Sequence, residues 1–387
     1  GVGILISQNL GAKKPGEAAR TALAGFILVS GIAILVSVGV VVAFPSILRA
    51  YNLEEIVYHY GTTYLVIFGG GSLFLAMNIV QASILRSYGF ARVPMLVNTV
   101  VLGLNIAGNS IALFGPFGLP IFGVAGVAVS TVFSQLVAFI LLQAQIRKRS
   151  ATITIDWLSA RRIPRKTLKD IFAVGIPTAG ELLSFNISQI VIISFIARLG
   201  TEALAAHGLF ITIARYVFIF GISIGAATQI KVGHMVGAGQ YESAHRRVYG
   251  YFLLGVAVST VGALLLVSFR FPLIALFTKD PEITRIAGTI LLLPLLQEPA
   301  RNFNTIIIPA LKGAGDVRFP VAVGLVTMWS VSVFLAWLFG IHFALGLVGV
   351  WLGPVIDEWF RGTIMFLRWK SGRWKTKTLV LASGEGD

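Results

Sequence analysis

The sequence predicts an all-α integral membrane protein built as two pseudo-symmetric bundles of six helices. Hydrophobic residues make up 56% of the 387 residues and charged residues only 12%, whereas a soluble domain carries about 25% charged residues. The apolar residues form long uninterrupted runs, and the order of motifs in the first half recurs in the second. Together these observations favour membrane-spanning helices arranged as an internal duplication.

The individual helices follow from the lengths of the apolar runs, because crossing a bilayer takes about 20 apolar residues in a helix. A transmembrane β-barrel would instead show segments of about ten residues with alternating hydrophobicity, and the run from Ile32 to Ala43 does not alternate. We therefore predict ten complete spans, near residues 17–46, 58–84, 93–115, 122–146, 169–198, 203–231, 246–270, 284–311, 319–341 and 346–367.

The distribution of basic residues predicts the orientation of these spans. A net charge of +15 would suggest a nucleic-acid partner in a soluble protein. Here most Lys and Arg residues fall in alternate loops and in the tail from Arg368 to Lys377, as the positive-inside rule requires of cytoplasmic segments. We therefore expect a multi-pass protein of the cell (inner or plasma) membrane with a cytoplasmic C-terminus and no nucleic-acid partner. The absence of cysteine excludes disulfides and thiolate chemistry.

An ordered repeat relates the two halves. The segment LRSYGFARVP, which begins at Leu85, recurs as LKGAGDVRFP, which begins at Leu311. The spans predicted at 169–198 and 203–231 have no counterpart in the first half, so we expect a parent of twelve spans, of which this sequence holds ten and the end of the second. An even number of spans in each half makes the repeats parallel.

Domain boundaries follow from the repeat and from a basic stretch between the halves. We predict an N-terminal lobe (1–146), a basic cytoplasmic linker (147–168), a C-terminal lobe (169–369) and a cytoplasmic tail (370–387). Trp157 and Leu158 lie among the charges of the linker. This pattern fits a helix at the membrane interface, and a solvated connector fits it equally.

Several motifs together resemble the multidrug and toxic compound extrusion (MATE) family along essentially the whole chain. They are SQNLGAKKPGEAAR and its repeat VGHMVGAGQYESAHR, the pair LRSYGFARVP and LKGAGDVRFP, GIPTAGE, and LGTEALAAH. The resemblance implies a twelve-helix exporter with two six-helix lobes around a central cavity. It also implies that a sodium or proton gradient drives the extrusion of amphipathic, often cationic, organic compounds.

Ionisable groups inside spans are candidate functional residues, because each costs about 2.5 to 3.5 kcal/mol at mid-helix on insertion scales. Glu181 follows Pro177 by one turn and has Ser184 and Ser188 on its face of the helix, with Asn186 nearby. A partly desolvated carboxylate with oxygen neighbours can bind and release a proton during transport. The same oxygen atoms could form a sodium site near Glu181. The alternative is a buried ion pair that holds helices together.

The span at 284–311 places Glu298, Arg301 and Asn302 on one helical face. Arg301 can neutralise Glu298, or Glu181, Glu298 and Arg301 can form a proton-sensitive switch. The family resemblance implies an acid near the Arg301 position, where this sequence departs from the pattern, so the family's sodium site cannot be transferred directly. Glu298, one turn earlier, is a candidate substitute for that acid. The same span contains three prolines, which remove backbone hydrogen bonds and predict a bendable helix: Pro294, Pro299 and Pro309.

The last span also places acids and a base on one helical face, because Asp357 and Glu358 precede Arg361 by four and three residues. A role in coupling and a purely structural pairing both remain open for Asp357. The residues expected to couple transport to an ion are Glu181, Glu298, Arg301 and Asp357. The residues expected to line the substrate cavity are Asn186, Gln189, Asn302, Asn78, Asn105, Asn109 and Arg361, although packing between helices is also expected of Asn105 and Asn109.

The acids and prolines in the spans favour one of three possible functions. An antiporter that exports amphipathic or cationic compounds in exchange for H⁺ or Na⁺ explains the acids and the prolines. A flippase for lipid-linked oligosaccharides requires a basic cavity, for which few Arg or Lys residues are available. A receptor or scaffold explains neither feature. No enzymatic motif is present, so we expect no enzyme and no cofactor other than the coupling ion, with small organic molecules and the bilayer as partners and a monomer as the functional unit.

Overall fold

The computed structural model describes residues 1–50, 54–155 and 163–380, and the regular secondary structure of this part of the chain is helical. It divides into two compact units. The amino-terminal unit comprises Val2–Leu10 and Lys14–Ile171, and the carboxy-terminal unit comprises Gly1, Gly11–Lys13 and the chain from Phe172 onwards. The prediction of an all-α protein is confirmed. The linker residues Trp157 and Leu158 lie outside the described residues.

The amino-terminal unit contains the short helix α1 (Val2–Gly11) and four long helices: α2 (Pro15–Ala50), α3 (Glu55–Ser87), α4 (Arg92–Phe114) and α5 (Gly123–Lys148). Helix α3 packs against α2 and α5, and α4 packs against α5. Large aliphatic side chains such as Ile6, Leu85 and Leu142 form the buried core. The α2–α3 contact is also polar, since Ser37 Oγ donates to the Gly69 carbonyl at 2.6 Å.

Three long helices follow, α6 (Arg165–Ala197), α7 (Thr201–Gly237) and α8 (Tyr241–Ser268), and the carboxy-terminal unit takes up the chain within α6, at Phe172. The short α9 (Arg270–Ala275) and α10 (Pro281–Ile290) follow. Asp280 caps α10, because its Oδ1 accepts hydrogen bonds of 2.9 Å from the Glu282 and Ile283 amides and satisfies donors that have no partner within the helix.

The predicted span at 284–311 is interrupted. It consists of α10, a turn, α11 (Pro294–Asn302), a π-helical segment (Phe303–Ile307) and α12 (Ile308–Gly313). Pro294 begins α11, and Pro299 lies inside it. The three prolines thus coincide with an interrupted span, since prolines and π-segments disrupt the regular ladder of backbone hydrogen bonds.

The chain ends with α13 (Arg318–Thr327), a π-segment (Met328–Val333), α14 (Phe334–Trp337), a second π-segment (Leu338–His342) and α15 (Gly346–Lys370). A short 3₁₀ turn (Arg373–Thr376) returns onto α15. The buried Trp374 stacks there on Trp369, with ring centroids 4.2 Å apart. The beginning of the predicted tail is thus packed against the unit.

Eight described helical segments are long and apolar enough to cross a membrane: 15–50, 55–87, 92–114, 123–148, 165–197, 201–237, 241–268 and 318–342. Each coincides with a predicted span. The two remaining predicted spans are the interrupted one and α15, which carries Asp357, Glu358 and Arg361 near its middle. Ionisable groups are thus concentrated in the two predicted spans that are not both long enough and apolar enough to be counted among these eight segments.

Candidate functional site

Two acidic side chains share one arginine within the carboxy-terminal unit. Arg301 Nη1 lies 2.7 Å from Glu298 Oε1, and Arg301 Nε lies 3.1 Å from Glu358 Oε1. The spacing of three residues puts Glu298 and Arg301 on one face of α11, whereas Glu358 comes from α15. Glu298 is only 2% exposed. This cluster of Glu298, Arg301 and Glu358, the acidic cluster below, holds two carboxylates and one cation.

Further contacts fix the acidic cluster in place. Gln297 Nε2 donates to Glu358 Oε1 at 3.3 Å, and Asn304 Nδ2 donates to the Glu358 carbonyl at 2.9 Å. The ring of Phe218 on α7 lies under Arg301, 4.6 Å from the guanidinium carbon, within range of a cation–π interaction. Four helical segments therefore contribute to one buried charged site.

The pairing of Glu358 differs from the sequence expectation. Glu358 and Arg361 were expected to pair along α15, but the nearest cation to Glu358 is Arg301 on α11. Arg361 pairs with Asp357, whose Oδ2 lies 3.0 Å from Arg361 Nη2. On a helix both i+3 and i+4 spacings allow contact, and the packing of α15 against α11 decides which acid each arginine meets. Sequence reasoning missed the role of Glu358 for that reason.

Glu181 belongs to a second group of charges. Lys312 Nζ donates to Glu181 Oε2 at 2.5 Å, joining α12 to α6. Glu181 therefore does not form the expected three-membered switch: among the described residues its ion-pair partner is Lys312, not Arg301. Lys312 lies in the last turn of α12, one residue beyond the predicted span 284–311.

A glycine brings Glu181 close to the Asp357–Arg361 pair. A Cβ atom on Gly324 would lie 3.3 Å from Glu181 Oε1 and 3.9 Å from Arg361 Nη1. The carboxylate and the guanidinium therefore approach α13 at the same point. Glu181, Lys312, Asp357 and Arg361, the balanced cluster below, contain two acids and two bases, so their charges cancel.

Other polar side chains of α6 and α11 form hydrogen bonds within their own helix or to another segment. The exposed Asn186 donates to the carbonyl of Leu182 in its own helix, and Gln189 is half-buried. Ser184 accepts a 3.0 Å hydrogen bond from Trp329 Nε1. Asn302 is 1% exposed and donates both to Ser259 Oγ on α8 and to the Glu298 carbonyl. In this structure Asn302 joins α11 to α8.

In the amino-terminal unit the expected amides bridge helices. Asn78 Nδ2 on α3 donates to both the carbonyl and Oε1 of Gln135 on α5, each at 2.9 Å. Asn105 on α4 donates to Thr131 Oγ1 on α5 at 3.3 Å, and Asn109 donates to Asn105 Oδ1 at 3.1 Å. These contacts fit the interhelical packing that was one of the two expectations for Asn105 and Asn109.

No group of three or more His, Cys, Asp or Glu side chains within the described ranges is arranged to hold a metal ion. His207 on α7, 5% exposed, accepts a 3.3 Å hydrogen bond at Nδ1 from Trp351 Nε1. This contact joins α7 to α15 inside an apolar core. His207 therefore contributes to helix packing in this core.

Comparison with known proteins points to one family. The family profile described as MatE matches residues 1–111 and 177–338. An uncharacterized transporter of Bacillus subtilis, YisQ, is 35% identical over 382 residues, which cover 98% of this chain and 83% of the relative. A probable multidrug resistance protein, NorM, of Thermotoga maritima is 29% identical and covers 85% of this chain and 70% of its own length.

A solved structure shares the fold. The outward-facing conformation of a multidrug resistance MATE family transporter of the MOP superfamily superposes with a TM-score of 0.89 and 22% identity, covering 97% of this chain and 84% of the other. The family profile matches more than half of the residues, and a relative above 30% identity aligns over nearly the whole chain. This chain therefore belongs to the MATE family of membrane transporters.

Proposed function

We propose that this protein is a secondary active efflux transporter that exports amphipathic or cationic organic compounds in exchange for protons or sodium ions. The observation that carries the proposal is the acidic cluster, in which the buried carboxylates of Glu298 and Glu358 share the single cation of Arg301. Relatives named multidrug resistance proteins support the same substrate class.

Charge counting supports the acidic cluster as the coupling site. Its two acids and one base leave one uncompensated negative charge, which is costly away from water. Binding one proton or one Na⁺ neutralises the cluster, and the site can then discharge the ion on the other side of the membrane. The balanced cluster has no such excess charge. In this proposal Glu298 and Glu358 carry the ion, Arg301 holds them together, and Glu181 and Asp357 hold helices in position.

Movement of the ion can be coupled to movement of helices because the acidic cluster joins separate segments. Glu298 and Arg301 lie on α11, which is bounded by a turn at Leu291–Leu293 and by the π-segment Phe303–Ile307. Glu358 lies on α15. Neutralising one carboxylate weakens the link between these segments, and the interrupted span offers a place to bend.

A flippase for a lipid-linked glycan is less well supported. Such a protein requires unpaired cations that contact phosphates. The cations in the interior of the carboxy-terminal unit, Arg301, Lys312 and Arg361, each pair with a carboxylate. The excess charge of the acidic cluster is negative, which suits cationic rather than phosphorylated cargo.

We also propose that the C-terminus is cytoplasmic and that the monomer is the transporting unit. The basic alternate loops support the orientation through the positive-inside rule. The monomer is supported by the position of the acidic cluster: Glu298, Arg301 and Glu358 already pair on α11 and α15 of the carboxy-terminal unit, so the proposed coupling site needs no second copy.

The decisive experiment is transport of ethidium by protein in proteoliposomes, with proton and sodium gradients imposed separately. We expect Glu358→Gln and Glu298→Gln to abolish the acceleration by the gradient, since either change leaves one acid balanced by Arg301. The matched control is Glu282→Gln, which alters a Glu–Arg pair of the same i, i+3 spacing at an exposed site and should leave coupling intact.

A second measurement covers variants that transport poorly for structural reasons. Trp359 lies beside Glu358 and donates through Nε1 to the Leu296 carbonyl. The chain has seven tryptophans, so the part of the fluorescence that is lost in Trp359→Phe reports on the α11–α15 contact. We expect Na⁺ or acid to change this signal in the parent protein, and not in Glu358→Gln. Full gradient-driven efflux in both acidic-cluster variants would disprove the proposed coupling site.

A further inference from the structure

A pocket of about 380 Å³ lies in the carboxy-terminal unit, and none of its lining residues belongs to the acidic or the balanced cluster. Its walls come from α6, the turn before α13, the start of α13, the end of α15 and the chain after the 3₁₀ turn. The lining residues used below are Ala173, Asp316, Arg318, Phe319, Arg368 and Lys377. This volume falls within the range of small-molecule binding sites.

The pocket lies at the depth where membrane helices begin and end. Arg318 is the first residue of α13, which opens a segment long enough to cross a membrane, and Arg368 is two residues from the end of α15. Ala173 is nine residues into α6. A site at helix ends of this kind faces the headgroup layer rather than the hydrocarbon core.

The charge of the pocket is positive. Arg368 Nε pairs with Asp316 Oδ2 at 2.8 Å and its guanidinium lies over the ring of Phe319, 4.4 Å from the centroid. Arg318 and Lys377 are exposed, and neither forms an ion pair with any residue in the described ranges. Arg318 and Lys377 are therefore available to bind an anionic ligand, and Arg368 beside them is held in place by Asp316 and Phe319.

The rest of the pocket and its surroundings are apolar. Phe319, Val174 and Leu379 line it, and α6 continues from Ala173 to Ile176, which is 64% exposed. An ionic pocket beside exposed apolar side chains on a membrane helix matches an amphipathic ligand whose charged end is an anion and whose remainder is hydrocarbon.

We propose that this pocket binds the phosphate headgroup of an anionic membrane lipid, with the acyl chains along α6. Arg318 and Lys377 contact the phosphate, and the Arg368–Asp316 pair shapes the floor. The chain after the 3₁₀ turn forms one wall, because the Lys377 carbonyl packs against Gly315, where a Cβ atom would clash with the carbonyl oxygen. Lipid binding therefore holds the carboxy-terminal chain against α13 and α15.

The test is native mass spectrometry of the whole chain, released from mixed micelles with equal amounts of dioleoyl phosphatidylglycerol and dioleoyl phosphatidylcholine. We expect the parent protein to retain phosphatidylglycerol preferentially. The double variant Arg318→Gln/Lys377→Gln should retain it about fivefold less for each cation removed. The matched control, Lys370→Gln/Arg373→Gln, removes two exposed basic residues that do not line the pocket and should behave like the parent.

A second variant tests the cavity rather than its charge. Ala173→Trp places a large ring at the exposed end of α6 inside the pocket and should reduce retention with no change in net charge. Equal losses in both double variants would mean that general basicity attracts the lipid, which overturns the site. Displacement of phosphatidylglycerol by excess inorganic phosphate would also overturn it, because the pocket would then take a free anion.

Discussion

Lys312 Nζ lies 2.5 Å from Glu181 Oε2, and this ion pair joins helices that are 131 residues apart in the sequence. Both side chains are largely buried. Removal of one partner from such a pair leaves an uncompensated charge in a poorly solvated site, which costs far more than the net contribution of the pair itself. The relationship between Glu181 and Lys312 can therefore be tested separately from transport.

We expect Glu181→Gln to destabilise the protein by about 3 kcal/mol, measured by thermal or denaturant unfolding in detergent. Lys312→Met should cost a similar amount, and the double variant should recover at least half of the loss. Because the balanced cluster has no excess charge, the double variant should keep gradient-driven transport. Loss of coupling in a stable double variant would instead assign the ion to Glu181.

The cation–π contact of Phe218 with Arg301 is expected to position the shared arginine. Phe218→Leu keeps an apolar side chain on α7 and removes the aromatic face, so stability should fall by about 1 kcal/mol. Phe218→Tyr or Phe218→Trp should retain the contact and serve as controls. Equal unfolding midpoints for Phe218→Leu and its aromatic counterparts would show that the ring face contributes nothing.

Close packing of α7 against the π-segment depends on Gly225. A Cβ atom at this position would clash with the Thr305 carbonyl oxygen, so Gly225→Ala should destabilise the protein by about 1 to 3 kcal/mol. Gly175→Ala on α6 is the control, because a Cβ there meets nothing within 4 Å. It should be neutral or stabilising by about 0.5 to 1 kcal/mol, measured in the same unfolding assay.

The Asn78–Gln135 contact should contribute to packing. Asn78→Leu removes both hydrogen bonds to Gln135 and should lower stability by about 1 kcal/mol while ethidium efflux continues. Gln135→Leu should give a similar loss, and the double variant should lose less than the sum. Abolished efflux in a normally stable Asn78→Leu protein would place Asn78 in the substrate path instead.

Local spacing predicted the part of the charged site that lies within single helices. Glu298 with Arg301 and Asp357 with Arg361 are three and four residues apart, and the helical period alone brings each pair together. The partners Glu358 with Arg301 and Glu181 with Lys312 are 57 and 131 residues apart. No periodicity encodes such contacts, because they depend on which helices pack against each other.

The sequence by itself determined the helical membrane class, the positions of the spans and the family, since apolar runs of bilayer length and ordered motifs are local properties. The prolines also signalled that the span at 284–311 is irregular. Only the tertiary structure decided that two acids share Arg301 while Glu181 pairs with Lys312. The physical reason is that a buried charge takes the nearest counter-charge in space, and helix packing determines which residue that is.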